Sequence, residues 1–369
     1  MPKEKVLVTG GAGFIGRRVC QKLLDHGNEV VIFDAFIDQV HGVTGDKTFL
    51  DDAKLVRGDM RDPEMVRKAL DGVDAVIHLA AEVGVGQSMY AIERYVGVND
   101  CGTAILLEEL SRAPVRRVVV ASSMSIYGEG LYRARDGSIV ENAMRSFGRG
   151  STWDPVGEDG APLEPIATPE TKRPTLASVY ALTKYSQECL TLMLAKAHGM
   201  ESCALRLFNV FGPGQALSNP YTGVLAIFAS RFQNGAPPLI FEDGLQRRDF
   251  VHVDDVASAF LSALETPEAD GGVFNIGSGR SYTIKAVVEH LAGAMDRTDV
   301  HPEILGRARV GDIRHCFADI SAARRVLRFK PRQFLENSLG ELTEWVRTQR
   351  ILDRVNEARQ ELEARGLVA

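Results

Sequence analysis

The segment Thr9-Gly10-Gly11-Ala12-Gly13-Phe14-Ile15-Gly16 follows the apolar run Val6 to Val8 directly and opens an amphipathic stretch. A strand that ends in glycines at this spacing and restarts as a helix predicts the first βα turn of a dinucleotide-binding unit. Gly10 permits the tight turn, and Gly13 lets backbone N–H groups approach a pyrophosphate at the positive helix end. Gly16 allows close packing of helix on sheet. Phe14 and Ile15 lie in the same first turn and are read with it as cofactor-binding residues. Asp34 closes the second apolar run, 18 residues past Gly16. A carboxylate there accepts hydrogen bonds from the adenosine ribose hydroxyls and repels a 2′-phosphate, which favours NAD over NADP; the plainer alternative is a strand-end cap. Asp59 and Met60, at the end of the third run, are placed for the adenine edge.

Short β-branched runs alternate with amphipathic segments through the first third: Val6 to Val8, Val30 to Phe33, Lys54 to Val56, Ala75 to Leu79 and Val118 to Ala121. Runs apolar on both faces belong to a parallel sheet, and helical stretches between them, such as Ala91 to Ser111, predict right-handed βαβ units. The fold class expected is α/β, a Rossmann-type doubly wound parallel sheet with a smaller C-terminal substrate-binding lobe. The NAD-binding domain is placed at 1–207, with an insert at about 129–177 and its core rejoined by about 250–280. The lobe and a charged amphipathic tail helix, Leu339 to Arg365, occupy 208–369.

At 369 residues the chain is long enough for two fused units. A net charge of -6 gives no basic field, so nucleic-acid binding is not expected. Five cysteines at 20, 101, 189, 203 and 316 lack the paired spacing of a zinc or redox motif, and they read as reduced thiols. The first residues leave no room for a signal peptide, and no apolar run approaches the ~20 residues of a membrane span. A cytoplasmic protein with no bound metal is expected.

Tyr180 and Lys184 stand at i and i+4, on one helical face. A fixed positive charge beside a phenol favours the phenolate, so the Tyr180 pKa is expected to fall toward working pH. Tyr180 then takes a hydroxyl proton as hydride leaves the same carbon. Such a pair alone occurs on many helices. It gains meaning beside Ser122-Ser123-Met124-Ser125-Ile126-Tyr127-Gly128, which ends the fifth strand where doubly wound sheets bind ligands. Ser123 is the expected third catalytic residue, polarising the substrate oxygen, and Ser122 borders the cofactor.

With these motifs in order, the chain resembles the extended short-chain dehydrogenase/reductase family, the NAD-dependent epimerases and dehydratases of sugar nucleotides. Further matches are His78-Leu79-Ala80-Ala81, Asn99, Leu205 to Gly214, Arg247 to Asp255 and Phe274 to Gly277. The resemblance implies that Leu79, Ala80, Ala81, Asn99 and Phe208 line the NAD cleft, while His78 is packing. It also implies that Asn209, Arg248 and Arg309 meet a substrate diphosphate, with Phe241 stacking on or flanking the base. Val224, Leu225 and Asp312 complete the implied substrate set. Family members commonly form homodimers through the helix carrying Tyr180 and the one near Asn99 to Ser111.

The family begins by oxidising the C4 hydroxyl, and the fate of the resulting ketone depends on acid/base groups near the ring. The 4,6-dehydratases carry an Asp-Glu pair immediately after the position of Ser123. Here Met124 and Ser125 stand there, and neither is a general acid or base near neutral pH. What remains is 4-epimerisation with NAD regenerated in each cycle. The long segment between Tyr127 and Tyr180, with Trp153-Asp154-Pro155 and Thr168-Pro169-Glu170, resembles a bacterial subgroup acting on dTDP-6-deoxyhexoses such as dTDP-L-rhamnose. That subgroup often has insert cysteines, and this chain has none between Cys101 and Cys189. A UDP-hexose 4-epimerase, another nucleotide-sugar oxidoreductase and a non-catalytic NAD-sensing protein are the alternatives.

Overall fold

The computed structural model describes residues 3–41, 52–145, 152–309 and 311–368. Strands β1 (Lys5–Thr9), β2 (Glu29–Asp34), β3 (Lys54–Arg57), β4 (Ala75–His78), β5 (Arg117–Ser123), β6 (Glu201–Leu207) and β7 (Val273–Ile276) form a seven-stranded sheet. Its order is β7-β6-β5-β4-β1-β2-β3, and every neighbouring pair is parallel. The strands are apolar throughout because both faces are covered. Val6 and Val8 face a layer containing Val19, Leu23 and Phe260, whereas Leu7 faces Val66, Leu106 and Leu110.

The helices that matter for function are α1 (Phe14–Asp25), α2 (Val179–Ala197), α3 (Val224–Gln233), α4 (Val253–Glu265), α5 (Leu335–Arg347) and α6 (Val355–Ala364). α1 and α4 pack on one face of the sheet. On the other lie α2, whose N-terminus is capped by the Ser178 hydroxyl accepting from Ala181 N at 3.1 Å, and the helix Gly102–Arg112. That last helix is reached from Ile92 through a π-helical stretch, Val96–Cys101, where a regular α-helix was expected. The wider turn accompanies burial of Asn99, a polar residue that must then find internal partners.

From β1 the chain winds outward through β2 and β3, then returns to the other side of β1 for β4 to β7. The carboxyl ends of β1 and β4 therefore flank the crevice where strand order reverses, the usual ligand position in such sheets. A second core of Phe211, Phe228, Phe232, Phe250, Leu291 and Leu342 builds the smaller lobe that overhangs this crevice.

The insert has structure that the sequence did not announce, and the tail departs from expectation. The insert is not a bare loop: Leu131–Arg133 pairs antiparallel with Ile139–Val140 and with Glu164–Ile166, and Thr168 bridges to Ala318 of the smaller lobe. Its residues 146–151 lie outside the described residues. The tail is two helices rather than one. α5 buries Leu335, Leu339, Leu342 and Val346 in the smaller lobe, while α6 turns Ala358 and Leu362 inward. Between them Asp353 pairs with buried Arg231 at 2.8 Å and accepts from Val355 N at 3.0 Å, so the chain is bent at that point to cover a second surface. Among the described residues, no helix is long and apolar enough to cross a membrane.

Candidate active site

A cleft of about 1060 Å³ runs from the carboxyl ends of β1 and β4 into the smaller lobe. Gly10, Gly13, Phe14, Ile15 and Gly16 all line it. Gly10 has φ +68°, and a Cβ there would stand 2.9 Å from Ala80 N; a Cβ on Gly16 would stand 2.2 Å from Gly10 O. Both positions need glycine for the strand, turn and helix to close on one another. Gly13 caps α1 and offers no side chain, so no side-chain cap occupies the first N–H groups of the helix. This is the arrangement a pyrophosphate needs.

Beside the turn, the Thr9 hydroxyl accepts from Leu79 N and Ala80 N, each at 3.2 Å, and fixes the loop after β4 that supplies Leu79, Ala80 and Ala81 to the cleft wall. His78 is buried, with Nδ1 2.7 Å from Thr9 Oγ1 and Nε2 2.9 Å from Thr103 Oγ1. Burial pushes its pKa down to about 3, and the neutral ring belongs to packing. Asp34 accepts from Ala12 N at 3.0 Å and Phe36 N at 2.9 Å, and His41 Nε2 lies 3.2 Å away. It thus caps its loop and still faces the cleft, because two carboxylate oxygens offer about four lone-pair sites. Asp59 lines the cleft beside Met60 and is held below the usual carboxylate range by hydrogen bonds from Arg61, at 2.7 Å and 3.0 Å.

Two residues expected at the cleft surface lie behind it. Asn99 is fully buried; it accepts from Glu82 N at 2.7 Å and donates to Glu82 O at 3.1 Å and Thr183 Oγ1 at 2.9 Å. It braces the cleft wall against α2. Leu225, one residue past Val224, points into the core of the smaller lobe, while Val224 itself lines the cleft.

β5 and α2 bring the three expected catalytic residues to one place. Ser123, Tyr180 and Lys184 all border the cleft, and the Ser123 hydroxyl is hydrogen-bonded to Tyr180. Ser123 also accepts from Ser125 N at 3.1 Å and from the Ser125 hydroxyl at 2.9 Å. Lys184 is buried, and its ammonium donates to Gln187 Oε1 at 2.7 Å. Burial pulls Lys184 down to about 7, opposed by the Glu188 carboxylate. The expected fall in the Tyr180 pKa is not found: desolvation is the dominant influence and raises it, with the Ser123 hydrogen bond acting the other way.

Sequence reasoning missed the residues that hold this row. Gln187 spends its amide on Thr103 Oγ1 at 2.8 Å and Ala80 O at 3.3 Å, tying Lys184 to the loop after β4. Glu188 accepts from Ser122 Oγ at 2.6 Å and pairs with Arg206 at 2.6 Å, locking α2 to the end of β5. Ser122 borders the cleft while making that bond. The signal was available, since Gln187 and Glu188 follow Lys184 by three and four residues on the same helical face. α6 carried no such signal, yet Ala358, Arg359 and Leu362 line the cleft, and Leu362 packs 3.5 Å from where a Gly86 Cβ would stand.

On the lobe side, Phe208, Asn209, Phe241, Arg248, Arg309 and Asp312 border the same cleft. Asn209 donates to Asp249 O at 2.9 Å. Arg248 is oriented by backbone carbonyls, Arg314 O at 3.0 Å and Ile313 O. The Arg309 guanidinium lies 4.6 Å from the Phe241 ring centroid and forks onto Asp312 at 2.9 Å and 3.1 Å. Two guanidinium groups thus border the lobe side of the cleft whose other end is the glycine turn, and a guanidinium fork suits phosphate oxygens. Among the described residues, no group of three or more His, Cys, Asp or Glu side chains is placed to hold a metal.

The NAD dependent epimerase/dehydratase family model matches residues 6–277. A dTDP-L-rhamnose 4-epimerase of Burkholderia thailandensis is 35% identical over 360 residues, 96% of this chain and 97% of that one. Among solved structures, the UDP-glucose 4-epimerase of Thermotoga maritima with UDP-glucose superposes with a TM-score of 0.76 at 31% identity, covering 93% of this chain and 98% of that one. The Thermus thermophilus UDP-glucose 4-epimerase in complex with NAD gives 0.74 at 28% identity, covering 94% and 100%. With the glycine turn, the Ser123, Tyr180 and Lys184 row and the parallel sheet behind them, the chain belongs to the NAD-dependent epimerase/dehydratase family and is an enzyme that uses NAD.

Proposed function

We propose that the protein is a nucleotide-sugar 4-epimerase acting on a dTDP-6-deoxyhexose such as dTDP-L-rhamnose. The observation that carries this reading is the pair Met124 and Ser125, which border the cleft immediately after Ser123 where an acid pair would be needed to eliminate water. Two further carboxylates that line the cleft are already committed: Asp312 to Arg309, and Glu82 to Arg94 at 2.6 Å. The similarity to the Burkholderia enzyme supports the choice of sugar.

Bound NAD supplies the hydride acceptor at C4 and, while oxidised, a positive charge. Burial raises the Tyr180 pKa, and the positive charges of Lys184 and oxidised NAD would offset that. Tyr180 then takes the proton of the C4 hydroxyl as the C4 hydride departs, leaving a ketone. Ser123 donates to that oxygen, and Lys184 stabilises the phenolate through its charge. Arg248 and Arg309 hold the diphosphate away from the ring, so the 4-keto sugar turns over without losing its anchor. Tyr180 then returns its proton as hydride comes back to the opposite face. No net redox occurs. Residues Ser123, Tyr180 and Lys184 are the catalytic set of this proposal, and the glycine turn with Asp34, Asp59 and Met60 holds the adenosine and pyrophosphate.

Tyr180→Phe removes the proton carrier and leaves the cofactor wall intact. It is expected to lower turnover by at least a thousandfold, the upper part of the range for a general acid/base (roughly 10²–10⁴), while NAD content after purification stays as in the wild type. Full activity in that variant would sink the mechanism. Incubation with dTDP-L-rhamnose and UDP-galactose in parallel, with products read by NMR, tests the sugar. A UDP-hexose 4-epimerase is the second reading, favoured by the likeness to the UDP-glucose-bound structure. We also propose a homodimer in a reducing cytoplasm, in keeping with five free thiols.

A further inference from the structure

Glu242 is 1% exposed, adopts φ +56° and follows Phe241 directly. Side-chain-bearing residues rarely take that conformation, and where they do the surroundings must hold them there. Two arginines do so. Arg314, with no exposed surface, donates from Nη1 to Glu242 Oε2 at 2.8 Å, and Arg145 donates from Nη1 to Glu242 Oε1 at 2.5 Å. Arg145 belongs to the insert and is 6% exposed along its side chain. Its Nε pairs with Glu129 at 2.9 Å, and its Nη2 donates to the backbone oxygen of Asp312. Arg314 is further tied to Asp154 of the insert at 2.6 Å and to Asp243 at 2.6 Å and 3.0 Å.

One insert arginine therefore grips both sides of the Phe241 and Arg309 wall: Glu242 next to Phe241, and the backbone of Asp312, whose carboxylate forks onto Arg309. Buried ion clusters contribute little net stability, because desolvation offsets most of their attraction, and their best-attested use is to fix one arrangement out of several. We propose that Arg145 and Glu242 are positioning residues for the nucleotide wall, and that through them the insert sets which nucleoside diphosphate the cleft prefers. The inference rests on the reading of this cleft as a nucleotide-sugar site.

The test uses the full-length, NAD-loaded protein and two probes, dTDP and UDP, titrated by calorimetry into the wild type, Arg145→Gln and Glu242→Gln. The wild type is expected to prefer one nucleotide. Each variant is expected to bind that nucleotide about tenfold more weakly, a loss of one factor of ten in Kd, and to bring the two affinities within about threefold. NAD content is expected to stay constant, and with a turned-over sugar KM rises while kcat stays within about twofold. If Arg145→Gln loses NAD through misfolding, Arg145→Lys decides, since it keeps the charge and lacks the fork. Variants that bind both nucleotides as the wild type does, or a wild type without preference, overturn the inference. A wild type that binds neither nucleotide overturns the proposed function itself.

Discussion

Burial sets the working charge of Lys184. The residue is 3% exposed, its ammonium donates to Gln187, and desolvation brings its pKa down to about 7 from an ordinary 10.5. The unfolded chain holds that proton up to about pH 10.4 while the native, NAD-free protein releases it near 7. Over that window the unfolded state binds more protons, so the contribution of Lys184 to stability rises with pH. Below pH 7 both states are protonated and the native state carries the full desolvation cost. Lys184→Met removes the titration at similar volume. The stability of the NAD-stripped wild type minus that of Lys184→Met is expected to climb between about pH 7 and 10, at about 1.4 kcal/mol per pKa unit and several kcal/mol at most. Denaturant unfolding at a series of pH values measures it, and a flat difference would contradict the assigned environment. At this scale the sequence was readable wherever chemistry is local. The glycines at 10, 13 and 16 act on backbone within one turn, and Tyr180 with Lys184 follow helical spacing. Asn99 and Leu225 lie behind the cleft because one residue of helical rotation, about 100° in the α-helix that carries Val224, separates a cleft-facing position such as Val98 or Val224 from a buried one.

At the scale of elements, the strands of the sheet were visible as apolar runs because both faces are covered. The tail and the insert were not readable in the same way, because long-range partners decide their shape. Arg314 meets Asp154 across 160 positions of sequence, and no local pattern announces that pair. Likewise the charged tail has one periodicity but two surfaces to cover, so it breaks near Asp353 and sends α6 back over the cleft. There Glu363 pairs with Arg307 at 3.2 Å, Val368 bridges to Arg309, and Leu362 lines the wall facing Gly86. Leu362→Asp puts a charge where a buried leucine stood, a change worth about 1.5–3 kcal/mol of burial alone. Substrate KM is expected to rise about tenfold or more, with NAD content unchanged because the glycine turn lies elsewhere. Steady-state kinetics on the epimerised sugar reads this directly, and an unaltered KM would remove α6 from the substrate site.

Across the whole molecule, α2 has two faces with different surroundings. Tyr180, Lys184, Gln187 and Glu188 look inward, and Leu182, Cys189 and Met193 form an outward stripe at helical spacing, with Leu182 50% and Met193 59% exposed. Cys101, at the end of the neighbouring π-helical stretch, is exposed as well. Apolar side chains aligned this way on one helix are the expected core of a self-complementary contact, since a two-fold axis through the stripe pairs it with its own copy. A dimer formed here would press on the back of the helix that carries Tyr180, which would link assembly to the proposed catalysis. The double variant Leu182→Glu with Met193→Glu places like charges opposite one another across that axis. Sedimentation velocity is expected to show a dimer for the wild type and a monomer for the variant at the same micromolar concentration. If the variant still sediments as the wild type does, α2 is not the interface. If it is monomeric with an unchanged kcat, the stripe holds the dimer together but the catalytic row needs no support from behind, and Gln187 and Glu188 suffice to keep Lys184 and Tyr180 in register.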